Sequence, residues 1–124
     1  MNTLIEKIAK SELEVLKVLW EVGHKMTIKE IRKILAEKTG WEASTIKTLV
    51  HRLCEKGVIN AVKCEVFYYT YAISEQEYND YVTQNMIDRL YGGSAKNLVA
   101  SLVDTGKLTD SDVEELRSLF KVGD

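Results

Sequence analysis

A mainly α-helical chain with one small β-hairpin is the fold class that the sequence predicts, and three observations carry it. The 124 residues contain no proline, where average usage would place about six, so helices can run without an internal breaker. Segments with apolar residues at three- and four-residue intervals are each followed by a glycine, at 23, 40 and 57, the residue that most readily takes the left-handed turn after a helix. After Gly57 the period changes to two in VINAVKCEVFYYTYAI, residues 58–73, a composition that suits strands.

The elements follow in chain order. Ser11 with Glu14 predicts a capping box before Leu13, Leu16, Leu19 and Trp20, with Gly23 as the stop. Thr27 with Glu30 predicts a second box before Ile31, Ile34 and Leu35, closed by Gly40. The third segment, WEASTIKTLVHRLCEKG, ends at Gly57 and has a weaker start, because Glu42 is a poorer N-cap than Ser or Asp. In the hairpin Phe67, Tyr69, Tyr71 and Ile73 alternate against Val66, Tyr68 and Thr70, with polar Lys63-Cys64-Glu65 near the middle. Cys64-Glu65 is not an Asn-Gly type turn, which leaves the register and turn open. Ser74 with Glu77 opens a long helix carrying Tyr78, Tyr81, Val82, Met86 and Leu90, stopped by Gly92-Gly93. A fifth helix runs through Leu98, Val99, Leu102 and Val103 to Gly106, and a sixth starts at Thr109, boxed by Asp112, with Val113, Leu116 and Leu119 on one side.

Composition excludes several classes of function. MNTLIEKIAK has charges where a signal peptide needs an apolar centre, and no run approaches about 18 uncharged apolar residues. The expectation is a cytoplasmic protein without membrane insertion. Cys54 and Cys64 form neither a CxxC nor a CxC pattern, so both are expected as reduced thiols and no metal site is assigned. No nucleophile-base pair and no phosphate-cradling glycine loop is present, so neither catalysis nor a cofactor is expected. The net charge of −2 conceals an asymmetry: residues 1–72 hold 12 lysines and arginines against 9 acids, residues 73–124 hold 5 against 10. Different partners for the two halves follow from that split.

Three helices, the second and third joined by a short turn, then a hairpin, make the order of a winged helix-turn-helix. At about 100° per residue, Ile46, Leu49, Val50 and Leu53 fall in one narrow arc. Ser44, Thr48, His51 and Arg52 project on the other side, with Thr45 and Lys47 at its margins. The apolar arc docks the helix on its own domain, and the armed arc is free to enter a groove of double-stranded DNA, where hydroxyls and cations meet bases and phosphates. The division expected is a winged-helix domain over 1–73 and a three-helix region over 74–124. Fifty-one residues are too few for three amphipathic helices to bury one another well, so Tyr78, Tyr81, Val82, Leu90, Leu98, Val99, Leu102, Val103, Val113, Leu116 and Leu119 are expected at a contact with a second copy. Gly92-Gly93 reads equally as a hinge or as a helix stop. A winged-helix module that binds protein and never DNA is the alternative, favoured by the near-neutral charge and by Glu42 and Glu55 near the armed face.

SELEVLKVLW, W-x-x-x-T-I-K-T-L-V-x-R-L-x-x-K-G at 41–57, VFYYTY, LYGGSAKNLVASLV and KLTDSDVEELRSLF together resemble the penicillinase repressor (BlaI/MecI/CopY) family along the whole chain. The resemblance implies a homodimeric transcriptional repressor whose N-terminal winged helix reads a palindromic operator and whose C-terminal helices dimerise. It places Thr45, Lys47 and Thr48 in the groove, and Arg52 and wing Lys63 on phosphates. Many members have Ser-Pro-Lys where this chain has Glu42-Ala43-Ser44, and a basic residue is common at the place of Glu55, so a different operator is expected. In the beta-lactam branch a membrane sensor-protease pathway leads to a cut at an Asn-Phe bond in the dimerisation region. NLVASLV aligned with that segment places the equivalent bond at Ser101-Leu102, where the residues differ. The copper-responsive branch carries a cysteine pair near its end, whereas this chain ends ELRSLFKVGD; a metal-responsive repressor is the second alternative.

Overall fold

The computed structural model describes residues 3–120. Met1, Asn2 and residues 121–124, the extremes of MNTLIEKIAK and ELRSLFKVGD, lie outside the described residues. A short 3-10 turn, Thr3–Lys7, precedes α1 (Lys10–Val22), β1 (Met26–Thr27), α2 (Ile28–Thr39), α3 (Ala43–Glu55), β2 (Ile59–Lys63), β3 (Phe67–Tyr71), α4 (Glu75–Leu90), α5 (Ala95–Asp104) and α6 (Asp110–Phe120). The chain divides into two compact units, Met1–Val82 and Thr83–Asp124.

The first helix begins earlier than the Ser11/Glu14 box predicts. Ala9 is its N-cap, and Glu12 occupies the third helical position. Glu12 Oε1 accepts the Ala9 N–H at 2.7 Å and the Lys56 ammonium at 2.6 Å, and Lys56 also donates to the Lys7 carbonyl at 2.8 Å. The carboxylate is 1% exposed, and a buried charge holds its place only where it is paired and hydrogen-bonded. That cluster sets the helix start, so Ser11 lies inside the first turn and Glu14 meets Lys17 on the surface at 4.0 Å. Elsewhere the capping expectations match the structure. Thr27 and Glu30 cap each other reciprocally, as do Ser74 and Glu77, and Thr109 and Asp112. Gly23 and Gly40 both take the left-handed conformation at their helix ends.

In the front unit Val15, Leu16 and Leu19 of α1 meet Ile31 and Leu35 of α2, Ile46, Leu49, Val50 and Leu53 of α3, and Val58, Ile59 and Ile73 around the hairpin. Each such side chain removed from water stabilises the fold by roughly 1.5–3 kcal/mol. The sheet holds a strand that the sequence did not disclose. Met26 and Thr27 pair with Tyr69 and Tyr68, giving the order β1-β3-β2, antiparallel throughout. Two residues are too few to show a period. The hairpin register runs from Ile59 opposite Tyr71 to Lys63 opposite Phe67, and the Cys64 N–H closes the turn on the Val66 carbonyl. Val66, read as a strand residue, therefore belongs to the turn.

The front unit extends past residue 73 to Val82. The Trp20 indole donates to the Ile73 carbonyl at 2.9 Å, its ring lies 5.5 Å from that of Tyr78, and the Tyr81 hydroxyl donates to Glu6. These ties attach the first two turns of α4 to the winged-helix core, and Tyr78 and Tyr81 pack part of their surface there. In the back unit the Ser94 hydroxyl caps α5 through the Asn97 N–H. Among the described residues of that unit only Ile87 is buried, while Leu90, Val99, Val103, Leu119 and Phe120 stand exposed.

Candidate nucleic-acid interface

The exposed side of α3 begins from what its buried side leaves over. Ile46 and Leu53 are fully enclosed, Leu49 and Val50 nearly so, and Ser44, Thr45, Lys47, Thr48, His51 and Arg52 are all exposed. The helix lacks a side-chain cap at Glu42, as its poor N-cap residue predicts. It is held instead by its apolar arc and, just beyond its C-terminal end, by Lys56 on the buried Glu12.

Each exposed side chain offers a distinct contact. The Thr48 hydroxyl donates to the Ser44 carbonyl at 2.9 Å, so it faces outward with its methyl group and its acceptor lone pairs. His51 Nε2 lies 3.3 Å from Glu55 Oε1, so the acid on this face has a partner whenever the imidazole is protonated. Lys47 and Arg52 have no ion-pair partner among the described residues and present whole charges. On the wing, the Lys63 ammonium sits over the Phe67 ring at 5.7 Å. Lys25 covers Tyr68 from β1's side at 4.4 Å, a cation that no sequence pattern singles out.

Between α3 and the wing lies a cleft of about 1010 Å³, lined by Lys47, Thr48 and Arg52 on one side and Ala61, Val66 and Phe67 on the other. Lys29, on the first turn of α2, joins the same lining. No sequence pattern points to it, because its proximity to α3 depends on how the two helices cross. Its only local signal is its place two residues after the Thr27 cap.

The two thiols and His51 do not converge. Cys54, in the last turn of α3, is half-buried and burial pushes its thiol up, while Cys64 is exposed at the wing turn. Burial also pushes the Tyr69 phenol up, with Cys54 a lesser cause. Among the described residues no group of three or more His, Cys, Asp or Glu side chains could hold a metal. Among the same residues no helix is long and apolar enough to cross a membrane.

In the back unit the Ser101-Leu102 bond lies within α5. Ser101 Oγ accepts from the Tyr91 hydroxyl at 3.3 Å, and its carbonyl accepts the Thr105 hydroxyl at 2.8 Å. Val82, Leu90, Val99, Val103 and Leu119 are exposed, and Leu98, Leu102, Val113 and Leu116 are half-buried.

A family model described as penicillinase repressor matches residues 8–121. The penicillinase repressor of Bacillus licheniformis is 30% identical over 118 residues, 94% of this chain and 91% of that protein. The methicillin resistance regulatory protein MecI of Staphylococcus aureus is 30% identical over 121 residues, 97% of this chain and 98% of its own length. The solution structure of the BlaI DNA-binding domain is 39% identical, with a TM-score of 0.52 over 60% of this chain and 90% of that one. The Bacillus licheniformis BlaI monomer, solved in complex with the blaP half-operator, is 38% identical with a TM-score of 0.50 over 57% and 87%. The family model and both sequence relatives match nearly from end to end, so the chain belongs to the penicillinase repressor family.

Proposed function

We propose that this protein is a homodimeric transcriptional repressor of a beta-lactam resistance response, with α3 in the major groove of each half of a palindromic operator. The observation that carries the reading is the face of α3, where Thr45, Lys47, Thr48 and Arg52 stand exposed beside the wing in a fold shared with a relative solved on its half-operator. Thr45 and Thr48 reach base edges, Ser44 and His51 flank them, and Lys47, Arg52 and Lys63 neutralise phosphates.

One such face makes few contacts, so a monomer binds weakly and with strong salt dependence. Pairing through the back unit turns the second half-site into an intramolecular contact, adding about 10² to 10⁴ in avidity. Exposed Leu90, Val99, Val103 and Leu119 supply apolar surface that a second copy covers. Loss of that pairing relieves repression, and a cut at Ser101-Leu102, at the end of a membrane sensor-protease pathway, is the step that achieves it. Because that bond lies inside a helix, α5 opens locally before a protease reaches it.

The test is selection of duplex fragments with the full chain, followed by mobility shifts at several salt concentrations. A dyad-symmetric site is expected, and Lys47→Ala should lower the salt slope by about one unit, the effect of one phosphate left without its cation. Recovery of random fragments alone would instead favour a protein-binding module.

A further inference from the structure

The cleft between α3 and the wing has a chemistry that reading DNA does not require. Its lining has an apolar part, built from Val50, Ala61, Tyr69, the half-buried Cys54, and Val66 and Phe67, which are 52% and 48% exposed. Three cations reach it from two helices, Lys29, Lys47 and Arg52, against a single carboxylate, Glu55, which already faces His51. None of the three cations has an ion-pair partner among the described residues. Large apolar side chains left in water beside unneutralised cations suit an occupant with both kinds of surface.

We propose that this cleft is a binding site for a small amphipathic organic anion, with a flat apolar body against Val50, Tyr69 and Phe67 and a carboxylate or similar anionic group against Lys29 and Arg52. Its volume of about 1010 Å³ lies at the upper end of the roughly 300–1,000 Å³ typical of small-molecule sites. Resting on the operator reading, the proposal extends to regulation. Lys47, Thr48 and Arg52 line the cleft and belong to the DNA-reading face, so one occupant excludes the other. By linkage, the anion lowers operator affinity by the same factor by which operator lowers anion affinity.

The probe that tests this is 8-anilinonaphthalene-1-sulfonate, an aromatic body with one fixed anion, titrated into the full chain. Fluorescence gives affinity, and methyl and aromatic NMR shifts give the location. One probe per chain is expected, with the largest shifts at Val50, Val66, Phe67 and Tyr69. Lys29→Gln should weaken it about tenfold, the effect of removing one good charge-assisted hydrogen bond, and Ala61→Trp, which fills the cleft from β2, should abolish it. Duplex operator should displace it. Shifts confined to residues 83–120, or an affinity unmoved by Lys29→Gln, overturn the site. Lys29→Gln weakening duplex while the probe never enters the cleft also overturns it and makes the cleft a path for the DNA strand. A probe seated in the cleft of a protein that binds no duplex upholds the site and removes the operator reading instead.

Discussion

The two units are written in the same local grammar and end in different states. α2 opens on a reciprocal Thr27/Glu30 box and α6 on a reciprocal Thr109/Asp112 box, yet Ile31 and Leu35 of α2 are sealed from water while α5 and α6 bury no residue completely. The front unit has a third helix and a sheet to close over its apolar faces, whereas the back unit has the rest of α4 and two short helices. A helix is fixed by its ends and its period, but a core closes only when enough layers surround it. Under the proposed pairing, it is a second copy that closes over the back unit.

The back unit's exposed faces offer the most drastic substitution. Val103→Asp combined with Leu119→Asp places two charges on the exposed apolar faces of α5 and α6, where a desolvated contact would have to bury them unpaired. Sedimentation should then show monomer in place of dimer. Operator affinity should fall by about 10² to 10⁴, with the melting of the front unit unchanged. A dimer that survives both charges would mean that these faces do not meet the second copy.

The next effect lies in the front unit. Lys56→Met leaves the Glu12 carboxylate buried with only the Ala9 N–H beside it, a change expected to cost about 3–5 kcal/mol. Glu12→Gln should cost less, about 1–3 kcal/mol, because Lys56 is 29% exposed and turns to water. Urea denaturation of the two variants measures both, and the reverse order would show that the pair is held by Lys56 rather than by the buried acid. Since Lys56 lies just after α3, the same variant should loosen the reading helix and weaken operator binding beyond what avidity explains.

That pair also shows what the sequence could carry. Helices two, three, four, five and six, the hairpin and the armed face of α3 were legible because each rests on spacing within a few residues. The start of α1 was not. Ser11 and Glu14 satisfy the box pattern, but the true start depends on Glu12 meeting a lysine 44 positions away, and nothing local reports such a partner. Lys29 and the cleft were invisible for the same reason, being products of how α2, α3 and the wing cross. Residues Met26 and Thr27 became a strand only because Tyr68 and Tyr69 lie beside them. Tyr78 and Tyr81 have the period of an interface residue, and only the positions of Trp20 and Glu6 reveal that the front unit claims them.

The mildest change is one that can be made identically in both units, at their helix caps. Thr27→Ala removes the hydroxyl that accepts the Glu30 N–H at 3.2 Å, which should cost about 1 kcal/mol of front-unit stability in a urea melt. The Thr27 backbone N–H, and then its hydroxyl, hold the Glu30 carboxyl below its usual range. A carboxyl lowered on folding contributes stability above its unfolded pKa, and that contribution fades as pH falls through the folded value. The gap between wild type and Thr27→Ala should therefore narrow in acid. Thr109→Ala removes the matching hydroxyl from the Asp112 N–H, but α6 leaves even Val113 and Leu116 only half-buried within its own chain. Its cost should appear as a dimer that dissociates at higher protein concentration, with the front-unit melt unmoved. If both variants lowered one shared, concentration-independent transition, the units would fold as a single body and the back unit would not need a second copy to complete it.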